Sequence, residues 1–325
     1  MIFCYQFIWD LEKRRFVYMK ILITPRSFAS FSDKPLKMLT ERDYKIKRNN
    51  TGRPYKKEEM LKLIKDVDGI IIGIDELSAE IIEEANELKV ISKYGIGLDN
   101  IDINMATNKK IIVTSTPTAN VDAVADLAFG LILSLARRIP EADRKTKSAK
   151  WGKIIGKSVW EKTIGIIGLG KIGRQVVKRA KGFEMNILVF DIVKDKKFAQ
   201  KYGIKYVNLE KLLRKSDYIT IHIPLNDATR NMISYEELEK MKKDAFLINT
   251  SRGGIVDEEA LYDALRNNKL RGAALDVYNN EPLRESPLKE LDNIIMTPHI
   301  GAYTEEAIEN MSIQAAQNLI DVLEG

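Results

Sequence analysis

The sequence predicts an α/β protein built as two parallel-sheet lobes with a cleft between them. Short apolar, strand-like runs alternate with helical patterns, which is typical of parallel sheets. This alternation occurs twice, and a long apolar helix separates the two sets. A chain of 325 residues is also longer than one average domain and suits two.

The first set of elements begins with a strand over 21–24. Further strands are predicted over 69–72 and 111–113, with helices over 57–65 and 78–85. The residues before this set, 1–19, lack the basic start of a signal peptide, and charged side chains interrupt their apolar positions. Because Met19 and Lys20 directly precede the first strand, we expect residues 1–19 to be a leader that takes no part in the fold.

A long apolar helix over 121–138 marks the boundary between the two sets. Asn120 is a good N-cap for this helix, and Pro140 is expected to stop it. The last helix, over 305–323, carries apolar residues at helical spacing and is expected to return to the first lobe. The predicted domains are therefore a discontinuous one, 20–118 plus 303–325, and a continuous one, 119–302.

The second set opens with a glycine-rich motif between a predicted strand over 163–167 and a helix. Its three glycines are Gly168, Gly170 and Gly173. In this context Gly168 permits the tight turn, Gly170 lets a pyrophosphate approach the backbone, and Gly173 lets the helix pack closely on the sheet. The free N–H groups at the helix start attract phosphate charge. The motif predicts a Rossmann-like dinucleotide site.

The next predicted strand, 186–190, ends at Asp191. A carboxylate in that place accepts hydrogen bonds from a ribose diol and repels a 2′-phosphate. The expected cofactor is therefore NAD rather than NADP. Three more strands of this lobe are predicted over 217–221, 245–248 and 272–275.

Arg252, Glu281 and His299 follow predicted strands of the second lobe, where parallel sheets place their ligands. The guanidinium of Arg252 can hold a carboxylate or carbonyl oxygen. A histidine paired with a carboxylate can pass a proton to or from a substrate oxygen. This trio suits hydride transfer between a nicotinamide and a 2-oxo acid. The carboxylate of Asp276 can accept a hydrogen bond from the nicotinamide carboxamide or cap a turn, and both roles stay open.

The composition argues against several other classes of function. The net charge is +6, but basic and acidic residues are interspersed, so no nucleic-acid partner is expected. The single cysteine, Cys4, allows neither an intrachain disulfide nor a cysteine zinc cluster, and it favours a reducing cytoplasm without a structural metal. The apolar stretch 127–135 is too short to span a bilayer, so no membrane partner is expected.

From about Lys20 to the C-terminus, the chain resembles the D-isomer-specific 2-hydroxyacid dehydrogenases, and within them the phosphoglycerate dehydrogenase-like chains. The segments that carry this resemblance are 93–100, the helix start 120–126, the glycine motif, 222–225, 250–254, Asp276 with Glu281 and Pro282, and 297–302.

The resemblance implies that Arg252, Glu281 and His299 are catalytic, in an NAD-binding domain over 119–302. It implies that the backbone of Gly95, Ile96 and Gly97 grips the substrate carboxylate from a substrate-binding domain, and that a homodimer forms through the helix and arm over 121–151. Besides the three motif glycines, the expected cofactor-binding residues are Lys171, Ile172, Asp191, His222, Ile223, Thr250, Ser251, Asp276, Gly301 and Ala302.

The resemblance favours D-3-phosphoglycerate, and hence serine biosynthesis, as the substrate and context. A phosphate needs cations, and the first lobe offers Arg26, Arg53 and Lys93, of which Arg26 and Lys93 are the expected substrate contacts. Two departures weaken this assignment. The segment 73–76 holds no arginine where such enzymes carry one, and Lys93 replaces another arginine. Hydroxypyruvate or glyoxylate reduction therefore stays open.

Functions of other classes are also considered. An NAD-sensing interaction protein, similar to corepressors with this scaffold, would retain the same trio. A formate dehydrogenase is disfavoured because that branch carries glutamine where this chain has Glu281. A structural protein with a vestigial nucleotide site is disfavoured because the trio and the glycine motif are present together.

Overall fold

The structure is a computed structural model that describes residues 18–325. Residues 1–17 of the predicted leader lie outside this described part. The expectation that the leader takes no part in the fold is wrong for its last residue, because the Met19 carbonyl accepts the N–H of Lys45 at 2.8 Å and the Met19 side chain packs against an apolar core. The chain divides into two compact units. The first unit comprises the described residues up to Ala119 together with Glu305–Gly325, and the second unit comprises Asn120–Thr304.

The first unit contains a five-stranded parallel sheet in the order β2-β1-β3-β4-β5. Its central strands are buried because helices cover the sheet, whereas the edge strand β2 is polar and largely exposed. That polarity explains why the apolar pattern of the sequence did not predict β2. The strands are β1 (Lys20–Ile23), β2 (Lys45–Arg48), β3 (Gly69–Ile72), β4 (Val90–Lys93) and β5 (Ile112–Thr114).

The helices of the first unit include the last helix of the chain. α12 buries its apolar face against the sheet, with Ala315, Leu319 and Ile320 in the same core as β1. The helices are α1 (Lys34–Thr40), α2 (Lys57–Leu63), α3 (Ala79–Glu83), α4 (Ile103–Asn108) and α12 (Glu305–Glu324).

The second unit contains a seven-stranded sheet in the order β12-β11-β10-β9-β6-β7-β8, and its neighbouring strands pair in parallel. The predicted α/β class with two parallel sheets is thus confirmed. The strands are β6 (Thr163–Ile167), β7 (Asn186–Phe190), β8 (Lys205–Tyr206), β9 (Tyr218–Ile221), β10 (Phe246–Asn249), β11 (Gly272–Leu275) and β12 (Ile294–Met296).

Helices cover both faces of this second sheet and create a core on each side. α5 and α7 contribute to one core, and α9, α10 and α11 contribute to the other. The helices are α5 (Val121–Arg137), α6 (Ile139–Lys147), α7 (Lys171–Gly182), α8 (Lys196–Tyr202), α9 (Leu209–Lys215), α10 (Tyr235–Lys240) and α11 (Glu258–Arg266).

Pro140 has a different place from the predicted one. α5 ends at Arg137, and Arg138 takes a left-handed conformation with φ of 53°. α6 then begins at once with Pro140 in its first turn. Proline has no N–H to donate and suits the first turn of a helix, where that N–H would have no intrahelical acceptor. Pro140 therefore lies at the start of a second helix.

Candidate active site

The predicted trio lies on three consecutive loops of the second unit. β10, β11 and β12 are neighbours in the sheet, and Arg252, Glu281 and His299 follow them in that order. Because the strands are parallel, their carboxyl ends open on the same edge of the sheet. The topology therefore brings the three residues to one edge of the sheet.

Glu281 and His299 form a direct pair, with Nδ1 of His299 2.6 Å from Oε2 of Glu281. The other carboxylate oxygen of Glu281 accepts the N–H of Tyr278 at 3.0 Å. Burial alone would raise the pKa of Glu281, but the bond to His299 and the charge of Arg252 hold it below its usual value. The pair thus combines an ionised carboxylate with an imidazole whose Nε2 is left for a ligand.

The loop of Arg252 is shaped by Asn249, a buried residue at the end of β10. The Asn249 Oδ1 accepts the Ser251 N–H at 3.0 Å, and its Nδ2 donates to the carbonyl of Arg252 at 2.8 Å. The guanidinium of Arg252 also donates to the carbonyl of Ser251 at 2.6 Å. Sequence reasoning missed Asn249, although an amide at a strand end commonly organises the turn that follows it.

Asp276 holds the loop that carries His299. Its carboxylate accepts the Thr297 hydroxyl at 2.6 Å, the Ile300 N–H at 2.8 Å and the Gly301 N–H at 2.8 Å. The side chain is almost wholly buried. Of the two roles left open by the sequence, the structure shows the ordering of a turn. The Asp276 carboxylate contacts residues on both sides of His299.

The glycine motif has the shape of a phosphate cradle. A Cβ on Gly168, whose φ is +95°, would lie 2.5 Å from the carbonyl oxygen of His222, and one on Gly173 would lie 2.1 Å from the carbonyl oxygen of Gly168. A Cβ on Gly170, in contrast, would meet no atom of the described residues within 4 Å. Two glycines are therefore required by packing, and the third leaves room for a ligand against the backbone.

Asp191 lies directly beside this cradle. Its two carboxylate oxygens accept the N–H of Leu169 at 2.5 Å and the N–H of Val193 at 2.7 Å. Each oxygen keeps a lone pair that can accept a ribose hydroxyl. The residues present therefore fit the adenosine side of NAD.

Two buried polar atoms lie at the ends of the neighbouring strands β9 and β10. His222 Nδ1 and Thr250 Oγ1 have no hydrogen-bond partner among the described residues. Nε2 of His222 is 2.9 Å from the hydroxyl of Thr220, and burial lowers the pKa of His222 to about 3. His222 is hence a neutral imidazole. Such unpaired groups at the ligand-binding edge fit a site that a dinucleotide completes.

The other predicted cofactor residues lie around the same edge of the sheet. Lys171 and Ile172 are the first residues of α7, and Ile223 follows β9. The hydroxyl of Ser251 is 2.9 Å from Asn249 Oδ1, so it belongs to the Arg252 loop. Gly301 and Ala302 follow His299, and Gly301 is bound to Asp276 as described above.

The predicted substrate residues belong to the first unit and are described within it. The Gly95 N–H donates to Thr116 Oγ1 at 2.9 Å, so this N–H of the predicted carboxylate-binding loop is already engaged within the first unit. The Lys93 ammonium is buried and lies 2.5 Å from both the Gly73 carbonyl and Asn100 Oδ1. Arg26 is exposed and donates to the carbonyl of Gly52.

Neither a metal cluster nor a membrane span is found in residues 18–325. No group of three or more His, Cys, Asp or Glu side chains is placed there to hold a metal ion. None of the helices within that range combines the length and the apolar character needed to cross a membrane.

Comparisons with known proteins agree with this architecture. Residues 129–301 match the family model described as "D-isomer specific 2-hydroxyacid dehydrogenase, NAD binding domain". A D-3-phosphoglycerate dehydrogenase of Methanocaldococcus jannaschii is 45% identical over 273 residues, which are 83% of this chain and 52% of that protein. A glyoxylate reductase of Korarchaeum cryptofilum is 40% identical over 275 residues, 82% of this chain and 83% of that protein.

The solved structure of the TT0316 protein from Thermus thermophilus has a TM-score of 0.87 and 35% identity, and the match covers 94% of this chain and 97% of that one. The chain spans about half the length of the phosphoglycerate dehydrogenase. The glycine cradle, Asp191 and the matched family model together identify the second unit as an NAD-binding domain. The chain belongs to the D-isomer specific 2-hydroxyacid dehydrogenase family.

Proposed function

We propose that this chain interconverts a small D-2-hydroxy acid and its 2-oxo acid with NAD. The observation that carries the proposal is the 2.6 Å pair of His299 and Glu281, on loops adjacent to that of Arg252. NAD, when bound, supplies the hydride acceptor of the oxidation and the hydride donor of the reduction. The cytoplasm is the proposed location, because a single cysteine suits a reducing compartment.

His299 is the residue that transfers the proton in the proposed reaction. Its Nδ1 is engaged by Glu281, so Nε2 is the atom that gives a proton to the carbonyl oxygen during reduction and removes it from the hydroxyl during oxidation. The carboxylate of Glu281 stabilises the imidazolium and fixes the orientation of the ring. The planar guanidinium of Arg252 holds the substrate carboxylate or carbonyl oxygen through paired N–H groups.

The first unit favours an uncharged substituent on the substrate over a phosphate. All three candidate cations have acceptors in the structure: Lys93 contacts Gly73 and Asn100, Arg26 contacts Gly52, and Arg53 forms a bidentate pair with Glu59 at 2.7 and 2.8 Å. Recruiting any of them to a phosphate would break these contacts first. We therefore propose hydroxypyruvate or glyoxylate as the preferred 2-oxo acid.

D-3-phosphoglycerate, and with it a role in serine biosynthesis, is the second candidate. Its support is the 45% identity to a D-3-phosphoglycerate dehydrogenase and the position of Arg26. That guanidinium is exposed and has one backbone acceptor, so turning it toward a phosphate sacrifices a single hydrogen bond.

The test measures NADH oxidation by the purified protein with hydroxypyruvate, glyoxylate, pyruvate and 3-phosphohydroxypyruvate. We expect the highest kcat/KM with hydroxypyruvate or glyoxylate, whereas a preference for the phosphorylated acid would favour the second candidate. Binding of NADH without turnover of any of these acids would instead support an NAD-sensing interaction protein.

His299→Gln tests the proton-transfer role. Glutamine cannot gain or lose the proton, so kcat should fall by about 10²- to 10⁴-fold. NADH binding, followed by nicotinamide fluorescence, should stay close to that of the unmodified protein and serves as the control for folding. Retention of full kcat across the pH range would contradict the role given to His299.

A further inference from the structure

Tyr278 lies in the loop that carries Glu281 and contacts the loops that carry Arg252 and His299. It follows β11, and its ring is buried in the core of the second unit. A Cβ on Gly253, the residue after Arg252, would lie 2.0 Å from the carbonyl oxygen of Tyr278. The Arg252 loop therefore packs directly on the Tyr278 backbone, and a side chain at position 253 has no space there.

The backbone N–H of Tyr278 binds the side chain of Glu281. It donates to Oε1 of Glu281 at 3.0 Å, while Oε2 of the same carboxylate contacts Nδ1 of His299 at 2.6 Å. The carboxylate is consequently held from two sides. The hydrogen bond from the Tyr278 N–H to Oε1 fixes the carboxylate of Glu281. It thereby also fixes the position of Oε2 beside His299.

The hydroxyl of Tyr278 reaches the His299 loop. It lies 3.0 Å from the carbonyl oxygen of Thr297 and 3.0 Å from that of Leu275, and so links the ends of β11 and β12. The same Thr297 carbonyl accepts the N–H of His299 at 3.1 Å. A single hydroxyl hydrogen is shared between these two carbonyls.

His299 needs such support because its backbone is in the left-handed region, with φ of +54°. This conformation is unfavourable for a residue with a side chain and persists where the surroundings determine it. Asp276 binds Thr297, Ile300 and Gly301 on one side of the loop. The Tyr278 hydroxyl binds the Thr297 carbonyl from the core side.

We propose that Tyr278 is a positioning residue that sets the geometry of the His299–Glu281 pair through its hydroxyl and its backbone N–H. In naming that pair as the acid/base of a dehydrogenase, the inference rests on the proposed function. The charged groups around His299 are the Glu281 carboxylate at Nδ1, the Arg252 guanidinium that acts on Glu281, and the Asp276 carboxylate beneath the loop.

Tyr278→Phe removes the hydroxyl and keeps the ring. Tyr218→Phe is the matched control, because Tyr218 is also buried and its hydroxyl donates to a backbone carbonyl, that of Ser158, at 3.1 Å. Tyr218 lies at the amino end of β9, away from the edge that carries the trio. Both variants lose one buried tyrosine hydroxyl, so a general loss of stability affects both.

The readout is a pH titration of the protein labelled with ¹⁵N-histidine, without substrate. The sequence has two histidines, and a His222→Gln protein identifies the signal that belongs to His299. In Tyr278→Phe the contact of His299 with Glu281 should loosen, and the midpoint of that signal should fall by about half a pH unit. In Tyr218→Phe it should stay unchanged.

Kinetics provide the second readout where a substrate has been found. Tyr278→Phe should lower kcat by about three- to tenfold, leave the KM for NADH unchanged, and move the alkaline limb of 2-oxo acid reduction to lower pH. If the Tyr278→Phe protein folds and its histidine signal has the same titration midpoint as that of the Tyr218→Phe protein, the inference is wrong. Because the titration uses no substrate, a wrong proposed function would not affect this result.

Thr297→Val provides an independent variant for the case in which Tyr278→Phe does not fold. It removes the hydroxyl that binds Asp276 and loosens the same segment before His299. The histidine midpoint should fall there as well. An unchanged midpoint in Thr297→Val would show that this segment does not position His299, and would equally overturn the inference.

Discussion

The two histidines of this chain show how burial decides what one residue type can do. His299 keeps 45% of its side-chain surface exposed and pairs with a carboxylate. His222 is half-buried beside Thr220, its buried Nδ1 has no partner among the described residues, and its pKa is lowered to about 3 because this burial disfavours the charged ring. One imidazole is thus placed to exchange a proton, and the other stays neutral.

The lowered pKa of His222 should make the stability of the protein depend on pH. Its pKa is about 6.5 in an unfolded chain and about 3 in the folded one, so the unfolded state binds one more proton between these values. Stability is therefore fully present above pH 6.5 and is lost as pH falls toward 3. Urea unfolding should show a loss of about 2 kcal/mol from this group between pH 7 and pH 5.

His222→Gln should unfold with a smaller loss of stability over the same pH interval. His299→Gln is the matched control, because it also replaces a histidine but leaves the buried one in place. Equal pH dependence in the His222→Gln and unmodified proteins would contradict this account.

Asp191 should determine the choice of cofactor. Asp191→Asn removes the charge that attracts the ribose hydroxyls and repels a 2′-phosphate, so we expect the KM for NADH to rise by about tenfold and the preference for NADH over NADPH to shrink. Asp195→Asn removes the same charge four residues later, at a carboxylate paired with Arg174 at 2.9 Å. Equal effects of the two substitutions on cofactor preference would contradict a specific role of Asp191.

At the scale of elements, the turn from β6 to α7 is determined by close packing. Gly168 and Gly173 lie where a Cβ would meet backbone oxygen atoms at 2.5 and 2.1 Å, whereas Gly170 faces open space. The three glycines therefore have separable uses, two in folding and one in binding.

A pair of alanine substitutions distinguishes these uses. Gly173→Ala should destabilise the second unit by about 1–3 kcal/mol, because its methyl group collides with the Gly168 carbonyl. Gly170→Ala, in an ordinary extended conformation, should leave the melting temperature unchanged and weaken NADH binding, because its methyl group occupies the phosphate space. Thermal unfolding and NADH fluorescence titration measure both. A Gly170→Ala protein with normal NADH binding would contradict the cradle.

At the scale of the whole molecule, apolar surface remains in the segment after α5. The apolar face of α5 itself is covered, since Ala128, Ile132 and Leu135 lie in the core of the second unit. That helix therefore does not need a partner to cover its face. Trp151 and Ile155, in contrast, are 93% and 79% exposed. Clustered exposed apolar side chains commonly mark protein interfaces.

We propose that the helix and arm over 121–151 mediate a homodimer. Sedimentation equilibrium should give twice the 37.0 kDa mass of one chain, and Trp151→Lys should shift the protein toward one chain because it places a charge in the contact. Ile192→Lys, at a residue that is also 93% exposed, is the control and should remain dimeric. A monomeric unmodified protein would contradict this proposal.

The amino-acid sequence alone was enough to predict the fold class and the glycine turn, and to propose Arg252, Glu281 and His299 as candidate catalytic residues. These features depend on short-range patterns: apolar periodicity within one element, turn chemistry over a few residues, and residue types directly after strands. The same reasoning did not predict the polar edge strand β2. It also placed Pro140 at a helix stop, because periodicity does not show that a new helix begins there.

Contacts between loops that are far apart in the chain depend on the three-dimensional arrangement of the strands. Asp276 binds the loop of His299, Lys93 contacts Gly73 and Asn100, and Tyr278 touches three loops. Such contacts follow from the order β12-β11-β10 and β3-β4 in the two sheets. Strand order is set by long-range packing, so no local pattern of residues specifies which side chain a strand end will meet.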